Sequence, residues 1–183
     1  MVMSLVEAGD WLKQRACLVS YSDIFYSPQT VAALAAAPGD IAITYDPNWQ
    51  ELWSARSDDP LADAETFRRA PSGRLLEIGG RARSLEEIEG QYMGLLKFTP
   101  AGWHLVTDLL HSLLVTQRNQ LSMTGLLQLL LAKGVEIHAT PCVGAWGEVD
   151  NEQDLRAYEA MLRDGRLCLD WISDVFEDQA KAG

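Results

Sequence analysis

The sequence predicts an α/β fold, with helices packed on a mostly parallel sheet and a smaller antiparallel part laid over it. Two observations carry that expectation. Short apolar, often β-branched runs alternate with helix-period segments along most of the chain, as strand–helix–strand units do. The middle breaks the alternation with a polar, irregular stretch followed by the Gly79-Gly80 pair, which suggests the antiparallel part. At 183 residues, 48% hydrophobic and 22% charged, the chain reads as one domain over 1–183 that can bury a core without staples.

The elements follow in order. Ser4, with Glu7 three residues on, has the form of a capping box and opens a short helix through Lys13. Ala16–Ser20 is a strand that ends at Tyr21-Ser22-Asp23. Pro28 suits the first turn of a helix that stops at Pro38-Gly39. Ile41–Tyr45 is a β-branched strand, and Asp46-Pro47-Asn48 a turn. From Trp49 to Pro71 the pattern is irregular. Leu75–Ile78 and Gln91–Phe98 are strands, and Trp103–Val115 and Met123–Lys133 amphipathic helices, the second stopped by Gly134. Val135–Ala139 is a strand and Glu152–Arg163 the last helix.

Composition excludes several classes of function. Fifteen basic against twenty-six acidic residues leave a net charge of −11. Nucleic acid and anionic membranes, which need a basic surface, are therefore not expected partners. Cys17, Cys142 and Cys168 are odd in number and form no CxxC, so they read as reduced thiols of a cytoplasmic protein. No apolar run approaches the roughly 18 residues of a membrane span. There is no GxSxG elbow and no GxxxxGK[ST] phosphate loop. His104, His111 and His138 have no metal-site spacing.

What remains is carboxylates at strand ends, where open α/β sheets bind ligands. Asp23 follows the first strand, Asp46 the Ile41–Tyr45 strand, and Glu148 and Asp150 follow the Val135–Ala139 strand. Such acids, distant in sequence, suit Mg²⁺, which takes one or two carboxylates and leaves its other positions to water and phosphates. The plainer reading makes each acid a cap or turn residue. Trp49 and Trp53 lie four apart and share a helical face; with Tyr45 or Trp146 they would box a cationic head group, or else simply be core. Arg56 offers a phosphate contact or a pair with Glu51, and Lys97 a phosphate contact or a solvated strand end.

Four blocks in order resemble a known family. They are Ser20-Tyr21-Ser22-Asp23-Ile24; Tyr45-Asp46-Pro47-Asn48-Trp49 with Trp53 and Arg56; Gly90-Gln91-Tyr92-Met93-Gly94-Leu95-Leu96-Lys97; and Trp146-Gly147-Glu148-Val149-Asp150 with Asp154-Leu155. The set is similar to the sugar-nucleotidyltransferase-like family, in the branch that loads cytidylate onto phosphocholine or 2-aminoethylphosphonate. The resemblance implies a Rossmann-like sheet and Mg²⁺-dependent transfer of CMP from an NTP, CTP by preference, to a small phosphorylated or phosphonate acceptor. It implies that Asp23 and Asp150 hold the metal, that Lys97 contacts phosphate as a catalytic group, and that Tyr21, Trp49, Trp53, Arg56 and Glu148 bind substrate. Family members open with a strand and a Gly-rich loop that binds the triphosphate. Nothing before Ser4 supplies these, so the expectation is an N-terminally truncated fold that transfers little by itself. Its exposed sheet edge would invite pairing with another chain, in the simplest case a homodimer. The alternatives are an inactive binding module of the same fold, or a metal-dependent glycosyltransferase.

Overall fold

In the computed structural model, strand β3 (Ile41–Asp46) forms the middle of the protein, and all six of its residues are buried. It belongs to a four-stranded sheet of order β1-β6-β3-β7, with β1 at Cys17–Ser20, β6 at Gln91–Phe98 and β7 at His138–Pro141. Strands β1, β3 and β7 point the same way, and β6 runs against its neighbours β1 and β3. The sheet is therefore mixed, with one reversed strand inserted among parallel ones. Two antiparallel pairs complete the strands: β2 (Ile24–Tyr26) with β8 (Trp146–Glu148), and β4 (Glu65–Arg69) with β5 (Leu75–Arg81). The structure describes residues 1–56, 61 and 64–171, except the side chains of residues 51 and 54–56.

Helices cover the sheet where their apolar stripes dictate. α3 (Pro28–Ala36) starts at Ser27, whose hydroxyl accepts from the Thr30 N–H. α5 (Pro100–Ser112) starts in the same way at Thr99, and α7 (Met123–Ala132) at Ser122. Trp103, Val106, Leu109 and Leu110 of α5 and Leu126, Leu127 and Leu130 of α7 are buried in the main core with Ile41, Ile43, Leu96 and Phe98. A second core gathers Trp49, Trp53, Trp146, Tyr158 and Met161, from α4 (Trp49–Arg56), β8 and α8 (Glu152–Arg163).

Some boundaries differ from the sequence expectation, for local reasons. The first helix begins at Val2, so Ser4 lies inside it and caps nothing, and it breaks at Ala8 into α1 (Val2–Glu7) and α2 (Gly9–Leu12). The strand expected at Val135–Ala139 starts three residues later, because its neighbour β3 pairs only from His138 onward. The segment after Trp49 is a helix and then a strand, and α6 (Val115–Gln120) follows α5. β2 and β8, three residues each, had no periodicity long enough to read. Gly94 sits at φ +77 beside the bulge between Ile43 and Tyr45, and a Cβ there would lie 2.6 Å from the Tyr21 ring. Glycine is required on both counts.

Candidate active site

The site is built where β1 and β8 end. Residue 23 leads directly into β2, and β2 pairs with β8 so that Ile24 faces Glu148 and Phe25 faces Gly147. The ladder extends one step further through Val149 N–H to the Asp23 carbonyl, at 2.9 Å. This pairing brings Asp23, Glu148 and Asp150 together, each offering a carboxylate oxygen within 4.8 Å of the others. Asp23 and Asp150 are exposed and Glu148 is half-buried. Three anions this close repel one another unless a cation sits among them. A hard divalent ion such as Mg²⁺, with its need for oxygen ligands, fits the donor set.

The cluster stands on a braced support. The Glu148 N–H donates to the Tyr158 hydroxyl at 3.0 Å, and the Asp150 N–H to Asp154 Oδ2 at 3.0 Å. Both partners come from α8, which Asn151 caps by accepting from the N–H groups of Gln153 and Asp154. The Phe25 and Tyr158 rings meet edge to face at 5.1 Å over Gly147. A Cβ on Gly147 would come within 2.6 Å of both rings, so only glycine lets β8 lie this close.

Tyr21 borders the cluster. Burial raises its hydroxyl to about 12; the neighbouring Tyr92 hydroxyl offsets part of this, and the carboxylates of Glu65, Glu148 and Asp23 add to it. The Tyr21 ring packs edge-on to Tyr92 at 5.9 Å. A cleft of about 520 Å³ runs beside β1, the outer strand of the sheet, and reaches Asp23. Leu5, Trp11, Leu18, Tyr21 and Met123 line it.

Other expected site residues lie elsewhere. Lys97 is 7% exposed, and its ammonium donates to the Ala37 carbonyl. In register it sits between Leu18 and Ala42, near the starts of β1 and β3, whereas the acids lie past the strand ends. Antiparallel β6 thus carries Lys97, expected at the phosphates, away from the acidic cluster. Trp49 and Trp53 are 2% and 6% exposed. Trp49 Nε1 donates to the Ile88 carbonyl, and Trp53 packs against Trp146 with centroids 6.2 Å apart. They form core, not the walls of an open aromatic box. The Arg56 side chain lies outside the described residues. Glu148, expected at the substrate, is the third member of the acidic cluster. Its place two residues before Asp150, among the acids that follow a strand, was the available signal.

Comparison with known proteins gives this geometry a context. The chain is 34% identical over 147 residues to the CTP:phosphoglutamine cytidylyltransferase of Campylobacter jejuni subsp. jejuni serotype O:2, a match covering 75% of this chain and 56% of that relative. Among solved structures, the fold matches the inositol-1-phosphate CTP transferase from T. maritima with a TM-score of 0.65 and 19% identity, over 87% of this chain and 60% of that one. It also matches a Bacillus anthracis protein assigned as a glucose-1-phosphate thymidylyltransferase, with a TM-score of 0.65 and 14% identity, over 90% and 61%. At such identities the structural likeness speaks for the fold alone. No family model matches the chain. The chain spans between 56% and 61% of the length of these relatives.

Proposed function

The chain belongs to the nucleotidyltransferase-like family, and on that premise we propose that it takes part in transfer of CMP from CTP to a small phosphorylated or phosphonate acceptor. The observation that carries this reading is the convergence of Asp23, Glu148 and Asp150 from separate strand ends. In the reaction an acceptor phosphate or phosphonate oxygen forms a bond to the α-phosphorus of CTP. The bridging bond to the β-phosphate breaks, and pyrophosphate leaves with the electron pair. Bound among the three carboxylates, Mg²⁺ would neutralise phosphate charge and orient the reacting groups.

The chain's own residues supply position. Asp23 and Asp150 hold the site open to solvent, where phosphates can reach it, and Glu148 anchors it from the half-buried side. Tyr21 keeps its proton at neutral pH and so can donate a hydrogen bond to a phosphate or acceptor oxygen at the rim. The cleft beside β1 is the approach to Asp23. No protein nucleophile is required, since phosphoryl and nucleotidyl transfers rest on positioning and charge neutralisation.

The acceptor belongs to the same proposal: phosphocholine-like or aminoethylphosphonate-like from the sequence motifs, with phosphoglutamine added because the Campylobacter relative uses it. A cytoplasmic location belongs to the same proposal and rests on three free thiols. The test is pyrophosphate release from CTP, UTP or dTTP with each acceptor, in Mg²⁺. CTP-preferring release that needs one acceptor and disappears in Asp23→Asn is expected. Release that is unchanged in Asp23→Asn would refute the cluster's part in the reaction, and none with any acceptor while the cluster binds metal would refute transfer by this chain.

A further inference from the structure

The acidic cluster rests on a strand pair that is not continuous with the main sheet. Among the described residues, β2 and β8 pair with each other and with no other strand. Side chains and one backbone bond tie them down. The Cys142 N–H donates to the Tyr45 carbonyl at 2.8 Å. Thr30 Oγ1 donates to the Val143 carbonyl and accepts from the Val143 N–H, at 2.9 and 3.0 Å. Both ties hold the loop before β8. The third reaches β8 itself: Trp146 Nε1 donates to Asp46 Oδ2 at 2.8 Å, two residues before Glu148.

Asp46 is made for a fixed role. It closes β3, the most buried strand, and is 5% exposed. Its Oδ1 accepts from the Asn48 N–H at 2.7 Å and faces the Cys142 thiol at 3.9 Å. Burial, and then the charge of Asp46, push that thiol up to about 12, so it stays protonated and faces the carboxylate as a donor. A buried carboxylate is kept only where its oxygens are satisfied, and here one of those oxygens is spent on β8.

We propose that Asp46 is a positioning residue that sets the divalent-cation affinity of the Asp23–Glu148–Asp150 cluster by locking Trp146, and through it β8, against the end of β3. The inference rests on reading that cluster as a metal site. Groups that orient metal ligands from outside the coordination sphere are typically worth about 10- to 100-fold in affinity. Glu148 lies two residues beyond the locked residue and so on the same face of β8, and a shift of Trp146 passes to it directly.

The experiment is Mn²⁺ titration of the full chain by electron paramagnetic resonance, with circular dichroism confirming the fold of each variant. Asp46→Ala and Trp146→Phe should each weaken Mn²⁺ binding about tenfold or more. The double variant should be no weaker than the poorer single one, because both remove the same bond. Should Trp146→Phe fail to fold, Asp46→Asn carries the test: it keeps one acceptor oxygen of two, and a loss of about threefold or more is expected. Folded variants that bind Mn²⁺ as tightly as the unaltered chain, while Asp23→Asn weakens binding, overturn the inference and leave the metal site standing. An unaltered chain that binds no Mn²⁺, or binds it equally well in Asp23→Asn, removes the metal reading and the inference with it.

Discussion

Gly147→Ala tests how tightly the site is built. Gly147 lies between Trp146 and Glu148 and faces Phe25 across the strand pair. An added methyl would stand 2.5 Å from Phe25 Cζ and 2.6 Å from Tyr158 Cζ, roughly an ångström inside ordinary contact. Neither ring has a simple escape, since each packs against the other at 5.1 Å. Tyr158 is buried, and its hydroxyl accepts from the Glu148 N–H. Overpacking of this kind costs about 1–3 kcal/mol, and pushing Tyr158 off the Glu148 N–H adds about 1 kcal/mol. The sum, about 2–4 kcal/mol, corresponds to roughly 5–15 °C in Tm for a domain of this size. Because β2 and β8 must separate to admit the methyl, Asp23 and Glu148 move apart and Mn²⁺ affinity falls as well. Thermal denaturation and Mn²⁺ titration of the same sample read both effects. A variant within 0.5 kcal/mol (about 2 °C) of the unaltered chain, with unchanged Mn²⁺ affinity, would show that the strand pair is softer than its contacts imply.

Three further outcomes are expected. Asp23→Asn and Asp150→Asn should each weaken Mn²⁺ by about tenfold or more, since losing a ligand is no milder than losing its support; competition by Mg²⁺ in the unaltered chain checks that one site is involved. Lys97→Met should leave Mn²⁺ affinity within about twofold while destabilising the fold by about 1–3 kcal/mol, because the ammonium serves the Ala37 carbonyl at the other end of the sheet; a large loss of Mn²⁺ affinity would put Lys97 back at the site. Stability should fall as pH rises from about 10 to about 12. Tyr21 holds its proton in the fold up to about 12 but loses it near 10 when unfolded, so the native state binds more protons across that window and deprotonation favours unfolding. Tyr21→Phe should flatten the Tm-against-pH curve there, and an unchanged slope would rule this tyrosine out as its source.

The sequence alone determined the parts of this protein that depend on near neighbours. The start of α3 at Pro28, the helix over Glu152–Arg163 and the β-branched strand at Ile41–Tyr45 follow from residues a few positions apart. Asp23 and Asp150 were legible among the acids at strand ends, a local pattern they share with Asp46 and Glu148, and the resemblance of the four ordered blocks singled them out as a metal pair. Only the tertiary structure decided which of the candidates meet. β2 and β8 are three residues each, and neither has a pattern of its own; they become strands by pairing with each other, which is what brings Glu148 beside Asp23. The direction of β6 decided where Lys97 lies, since a strand's periodicity says which face a residue takes but not which end of the sheet it reaches. Trp49 and Trp53 share a helical face, as their spacing requires. Whether that face met a ligand or a core depended on Trp146, nearly a hundred residues along the chain, which packs against Trp53 and closes the gap. Spacing along the chain carries periodicity, while pairing partners and direction are set by contacts between distant segments, and those contacts place the carboxylates.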